Sequence, residues 1–270
     1  SDYPGMDILA CWPEGYFPQD AKYVQMAARK CGSNGFMAEV CPFDNPEEFG
    51  KAPFDNLLAT MGLNYISGVR TTQSYAEADF SAFGDGRFRD FLPRNQDMFG
   101  QVRKYFDRAQ MRQLNAYVGR MGLLLDGLQN QCTTVLYFGI EDVQAKYTPK
   151  HDCEVGAQAI GCDLATLRLL RAMLDEGRDF LFADAEDLTE IARTGRLGGE
   201  EIRRILLPGL DVIRPEALAA LRQLKKAGVC VLFAEKLPHI DALSGQQLQL
   251  AGEFEAVSVQ EAVQIPDAQE

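Results

Sequence analysis

At 270 residues the chain suits one large domain or two modest ones. Its 46% hydrophobic and 24% charged residues exclude a disordered or fibrous protein, and no apolar run approaches the roughly 18 residues that span a bilayer. The net charge of -12, from 39 acids against 27 bases, argues against nucleic acid as a partner; a neutral ligand such as a sugar fits better, although acidic surfaces are common in soluble proteins generally.

In chain order, "MDILAC" (6–11) predicts a strand. "PQDAKYVQMAARKCG" (18–32) predicts a helix with Pro18 in its first turn and a glycine stop. "GFMAEV" (35–40) is the next strand, "FDNLLATMG" (54–62) a short helix closed by Gly62, and "NYISGV" (64–69) a third strand. The strand starts fall at 6, 35 and 64, 29 residues apart each time. That spacing is one βα unit and implies parallel neighbours joined by helical crossovers. A polar, aromatic-rich loop runs from Arg70 to Asn95, and a long helical stretch follows over 96–130. Its apolar positions Phe99, Val102, Phe106, Leu114, Tyr117, Val118, Met121 and Leu125 recur at three- and four-residue steps. Gly119, Gly122 and Gly127 are places where it could break or pack closely.

Near Asn130 a second α/β series begins, giving expected domains 1–130 and 131–270. "TTVLYFGI" (133–140) reads as a central parallel strand. Helices are expected at 163–177, 185–194 and 215–228, and strands at 179–183, 204–209 and 229–234. This pattern predicts a doubly wound, flavodoxin-like α/β domain.

Functional groups in parallel α/β folds gather at the C-terminal ends of strands. Glu39 ends its strand, Trp12 and Tyr16 follow the first strand, and the third strand opens into a polar cluster with Arg70, Gln73 and Tyr75. An aromatic face to stack on a pyranose, polar groups for its hydroxyls and a carboxylate near the anomeric carbon make a sugar site. The alternatives are a structural salt bridge for Glu39 and a rim packing role for Trp12. In the second domain an amidotransferase-type enzyme would need a cysteine on a sharp strand-to-helix turn, but Cys230 falls inside its strand and His239 has no cysteine partner. A flavin or nucleotide would want a phosphate loop after the first strand, and "FGIEDVQAKYTP" has none. No cofactor is therefore expected, and this domain reads as catalytically silent. Seven cysteines without a CxxC pair favour a reducing, cytoplasmic compartment. Two isolated histidines give no zinc site, and the N-terminus shows no signal peptide.

The stretch "YVGRMGLLLDGLQNQCTTVLYFGIEDVQAKYTP" (117–149) resembles a segment of α-L-rhamnosidase-type (family 106-like) glycoside hydrolases, as does "RRILLPGLDVIRPEALAALRQLKKAGVCVLFAEKLP" (203–238). The related second choice is the β-galactosidases with a trimerisation domain. In both groups a flavodoxin-like module follows a (β/α)8 TIM barrel. The resemblance implies that residues 1–130 are the last three βα units of such a barrel. It also implies that Glu39, ending the seventh strand, is a catalytic nucleophile or base. Glycoside hydrolysis needs a second carboxyl group roughly 5 to 10 Å away, and Glu14, Glu47 and Glu48 near the mouth carry no mark of that role. The expectation is thus a C-terminal fragment, inactive alone, whose partners are a carbohydrate, the missing barrel half and in some settings a second copy. The rival readings are a non-catalytic carbohydrate-binding or assembly protein and an unrelated amidotransferase- or flavodoxin-type α/β enzyme.

Overall fold

The computed structural model describes residues 3–8, 11, 13, 18–33, 35–41, 52–74, 108–126, 128, 132–148 and 157–265. The chain divides into two compact units, Ser1–Leu128 and Gln129–Glu270.

The first unit is a three-stranded parallel sheet in the order β1 (Gly5–Ile8), β2 (Phe36–Val40), β3 (Val69–Ser74). Helix α1 (Pro18–Lys30) follows β1, α2 (Phe54–Ile66) follows β2, and α3 (Arg108–Leu125) comes after β3. Alternation along β2 makes Phe36, Ala38 and Val40 buried and leaves Met37 and Glu39 half-buried. The buried set joins Ile8 and Val69 from the flanking strands, Ala21 and Ala28 from α1, Leu57 and Met61 from α2, and Leu114 from α3. The sheet's apolar face therefore packs against all three helices. The other face carries Gly5, Asp7, Met37, Glu39, Thr71 and Gln73.

Two expectations from the sequence change here. Gly62 does not close α2; the helix runs on to Ile66 and turns at Gly68, whose φ of 106° only glycine adopts readily. Gly62 instead lets the Tyr117 hydroxyl of α3 approach so closely that any Cβ would lie 2.6 Å from it. With the helix longer, the third strand begins at Val69 rather than residue 64, so the even 29-residue rhythm is lost. Of the expected 96–130 helix, Arg108–Leu125 is observed; Phe99, Val102 and Phe106 lie outside the described residues. The helix passes through Gly119 and Gly122 without a break, and a Cβ at either would meet nothing within 4 Å.

The second unit holds a five-stranded parallel sheet. Its strands are β4 (Thr134–Tyr137), β5 (Leu181–Ala183), β8 (Arg204–Leu207), β10 (Cys230–Ala234) and β12 (Ala256–Val257), ordered β12-β10-β8-β4-β5. Helices α4 (Ile140–Lys146), α5 (Ala157–Asp175), α6 (Ala185–Thr194), α7 (Pro215–Lys226) and α8 (Val259–Gln264) complete it. Every residue of β4, β5 and β8 is buried, as expected of strands covered on both faces. A capping box between Asp184 and Asp187 starts α6, and Gly195 at φ 72° ends it. The short pairs β6 (Arg196–Leu197) with β7 (Glu200–Glu201), and β9 (Val212–Ile213) with β11 (Ile240–Asp241), lie outside the main sheet. Helix α4 and the edge strand β12 were not expected from the sequence. Seven and two residues are too short to show a period, and both form because a neighbouring strand or loop supplies their partners.

Arg204 is 1% exposed in the middle of this sheet. Its guanidinium donates to the Thr134 hydroxyl of β4 at 3.1 and 3.2 Å and to the Ile265 carbonyl at the end of α8. One side chain thereby ties a central strand to the C-terminal helix. Arg204→Ala should cost the second unit about 3 kcal/mol in urea unfolding, since it opens a cavity and leaves buried acceptors without donors. Arg204→Met, which refills the volume, should cost less.

Candidate active site

Glu39 stands one residue before the C-terminal end of the central strand β2. In a parallel pair, register partners point to the same face, and Glu39 is in register with Asp7 of β1 and Gln73 of β3. The three polar side chains form one row across the sheet, on the face away from the helices. Met37 and Thr71 form the row below, and the Tyr3 hydroxyl lies 3.2 Å from the Thr71 hydroxyl.

The row exists because β3 contains a bulge. Phe36 pairs with Val69 but Met37 pairs with Thr71, so Arg70 is the extra residue. Without it Thr71 and Gln73 would turn to the helix side. Arg70 itself is held at the opposite end of the strand, where its guanidinium donates to the carbonyls of Tyr65, Val69 and Leu128 at 3.2–3.4 Å. The structure thus brings Gln73 to Glu39 and does not bring Arg70. Both residues also lie inside β3, not in a loop beyond it. Trp12, Tyr16, Tyr75, Glu14, Glu47 and Glu48 lie outside the described residues.

Asp7 was missed from the sequence. The available signal was that "MDI" and "AEV" place an acid at the same penultimate position of consecutive strands. Burial raises the Glu39 carboxyl above the usual glutamate range, and the neighbouring Asp7 adds to the rise. Just beyond the strand, the Cys41 thiol is pushed up to about 12 by burial, with Glu39 and Asp7 contributing. Burial also raises Cys11 to about 12, and its thiol donates to the Cys41 carbonyl at 3.2 Å. Thiols held so far from ionisation are inert at neutral pH.

In the second unit the strand ends are occupied by groups that satisfy one another. Buried Asp142 accepts from the backbone amides of Asp211 and Val212 at 2.9 Å and pairs with Lys146 at 2.9 Å. Asp211 pairs with Lys146 and Lys236, each at 2.5 Å. Burial alone would raise the Asp211 carboxyl, but the two lysines hold it below the usual range. His239 Nδ1 lies 3.6 Å from Asp211, and these groups border a cleft of about 310 Å³. Buried Tyr137 donates to Glu141 at 2.5 Å. Cys230 begins β10 rather than occupying a turn. The sharp turn at the end of that strand does exist, but it carries Glu235 at φ 70°, with the Lys236 amide closing onto the Ala234 carbonyl at 2.9 Å. The Glu235 carboxylate accepts from Arg168 at 2.8 Å. Among the described residues no group of three His, Cys, Asp or Glu is placed to hold a metal ion, and no helix is long and apolar enough to cross a membrane.

No protein-family model matches the chain, and no curated protein matches it. Solved structures do. The chain's fold is similar to part of the fold of several of them. A β-galactosidase from Rahnella sp. R3 aligns over 90% of this chain and 33% of its own, at 12% identity and a TM-score of 0.55. A catalytic mutant of a family 42 β-galactosidase from G. stearothermophilus aligns over 88% of this chain and 34% of its own, at 12% identity and TM-score 0.55. An α-L-fucosidase isoenzyme from Paenibacillus thiaminolyticus aligns over 91% and 30%, at 17% identity and TM-score 0.52. The chain spans about a third of the length of these structures. The β-galactosidases among them fit the second choice of the resemblance seen in the sequence, and none of these three is a rhamnosidase.

Two stability outcomes follow from this geometry. Folding raises the Glu39 carboxyl, so its contribution is present below the ordinary glutamate pKa and is lost as pH rises through the folded-state value. Glu39→Gln should therefore raise the urea midpoint of the first unit at pH 8, with the gain shrinking toward pH 4, read from the fluorescence of the single tryptophan. Glu235→Gly should stabilise the second unit by about 1 kcal/mol in thermal unfolding, because relief of a left-handed backbone outweighs an exposed ion pair. Arg168→Ala measures that ion pair alone.

Proposed function

We propose that the chain is the C-terminal part of a glycoside hydrolase, with residues 1–130 forming the last three βα units of a (β/α)8 barrel and Glu39 as its catalytic nucleophile or base. The observation that carries this reading is the position of Glu39. It lies at the C-terminal end of the central parallel strand, on the face opposite all three helices. In a (β/α)8 barrel that face is the interior and that end is the mouth. Among the described residues β1 and β3 each have one unpaired edge, where further strands would complete the barrel. Gln73 beside Glu39 would bind a sugar hydroxyl, and Trp12, Tyr16 and Tyr75 would supply stacking faces. Arg70 is assigned to shaping the strand rather than to substrate.

The second unit's strand order, counted along the chain as 2-1-3-4-5, supports a flavodoxin-like domain. A glutamate at the sharp turn after β10 and a mutually neutralised charge cluster support its silence in catalysis. They also disfavour the amidotransferase reading. The domain then serves the barrel or contact with another copy. β-Galactosidase-like chemistry is preferred over rhamnosidase-like chemistry because the similar solved structures include β-galactosidases. A non-catalytic carbohydrate-binding protein is the rival.

The test uses the chain extended upstream to eight strands and a panel of nitrophenyl β-galactoside, α-fucoside and α-rhamnoside. Glu39→Gln should lower hydrolysis of the preferred glycoside about a thousandfold or more while the protein stays folded. Full activity in the variant ends the catalytic assignment. No hydrolysis by either protein, with sugar still bound, selects the binding protein.

A further inference from the structure

We propose that the cleft at the C-terminal edge of the second unit's sheet is a non-catalytic binding site for one ring of a neutral sugar, held by His239 and Asp241. It draws on no residue of the first unit and so does not rest on the role given to Glu39.

The position follows from the topology. In the order β12-β10-β8-β4-β5 the chain passes from β4 to β5 on one side, while β8 leads to β10 on the other. The direction of winding thus reverses between β4 and β8, and doubly wound sheets bind ligands in the crevice outside the strand ends at such a point. The cleft of about 310 Å³ opens there. Its lining comes from the segments that follow three neighbouring strands. Ala145 and Lys146 end the helix after β4, Asp211 and Val212 follow β8, and His239 to Ala242 follow β10.

Backbone strain marks the same edge. Among the described residues Glu235, directly after β10, is the one non-glycine residue with positive φ, at 70°. Such conformations persist where the surroundings enforce them, most often at functional sites. The turn sends Lys236 to Asp211, where its ammonium pairs at 2.5 Å beside that of Lys146, also at 2.5 Å. These ions satisfy one another. They frame the cleft and leave ligand contacts to other groups.

The lining decides the ligand's class. A phosphate is disfavoured because the first turn of α4 carries Glu141 and Asp142, and Asp211 and Asp241 on the lining repel any anion. An ammonium group would find only the exposed Asp241, since Asp211 already holds two lysines. Val212, Ile240 and Ala242 offer an apolar wall that suits the C–H face of a pyranose. Its hydroxyls meet the remaining polar groups. The amides of Ser244 and Leu243 hold the Asp241 carboxyl below the usual range, and both bond to Oδ1, at 2.8 and 2.9 Å. Oδ2 therefore keeps acceptor capacity. His239 is exposed, with Nδ1 3.6 Å from Asp211, and its Nε2 can bond a hydroxyl in either protonation state. An apolar wall with a few placed polar groups, in a volume at the small end for ligand sites, matches a single ring.

The experiment is a nitrogen-15 NMR titration of the 270-residue chain with methyl β-galactoside, with galacturonate and galactosamine as charged controls. The amides of Val212, Ile240, Ala242 and Gly245 should shift with the neutral glycoside and saturate, and galacturonate should bind about tenfold more weakly. His239→Ala should weaken binding about tenfold. Asp241→Asn should do the same; its side-chain oxygen still accepts from the Leu243 and Ser244 amides and keeps the turn, while an NH2 replaces the accepting oxygen. Cleft amides that stay in place in the wild type overturn the proposal without needing any variant to fold. Tighter binding of either charged control, or unchanged affinity in both folded variants, overturns it as well. Cleft shifts that follow protein concentration and not sugar would show a second copy covering the cleft, and also overturn it. Glu39→Gln should leave the cleft's response unchanged. Lost hydrolysis in that variant without cleft binding therefore sinks this proposal alone, and cleft binding with full hydrolysis sinks only the catalytic role of Glu39.

Discussion

The first unit depends on one extra residue. Had β3 paired with β2 without interruption, Thr71 and Gln73 would face the helices, and Thr72 and Ser74 would take their places on the other face. Arg70 takes up the extra position and is anchored on backbone carbonyls of Tyr65, Val69 and Leu128. That anchoring explains why an arginine, with several donors in a fixed fork, suits the site. From this point upward, Thr71 and Gln73 match Met37 and Glu39. Sidedness then follows for the whole sheet, with hydrocarbon against three helices on one face and a row of polar groups on the other.

The same constraint brings two like charges together. A row of register partners places side chains at strand spacing whether or not their charges agree. Asp7 and Glu39 are like charges at that spacing, and the backbone pairing of the strands is strong enough to hold them there. Partial burial and the neighbouring Asp7 together raise the Glu39 carboxyl above the usual glutamate range.

The second unit resolves its charges in the opposite way. Asp142 and Asp211 meet Lys146 and Lys236, the buried Arg204 meets hydroxyl and carbonyl oxygens, and Glu235 meets Arg168. Groups that satisfy one another hold a fold together but are poorly available for substrate. The strained turn at Glu235 is the exception, a backbone geometry suited to a nucleophile that bears a paired carboxylate.

Sequence alone determined the α/β class, the parallel character of both sheets and the strand-end position of Glu39. These follow from local hydrophobic periods and from crossover lengths, which need no knowledge of distant partners. Helix α6 was legible to the residue because Asp184 and Gly195 mark its ends. Gly62 misled, because a glycine that ends a helix and one that admits a neighbouring tyrosine look alike along the chain. The edge strand β12 was invisible for a related reason: two residues become a strand only when β10 presents its open edge. Tertiary structure alone decided that Arg70 turns away from Glu39 and that Asp7 and Gln73 flank it. Those facts depend on register and a bulge, which arise when strands 30 or so residues apart pair; the matching penultimate acids of β1 and β2 hint at the first, and no local pattern encodes the second.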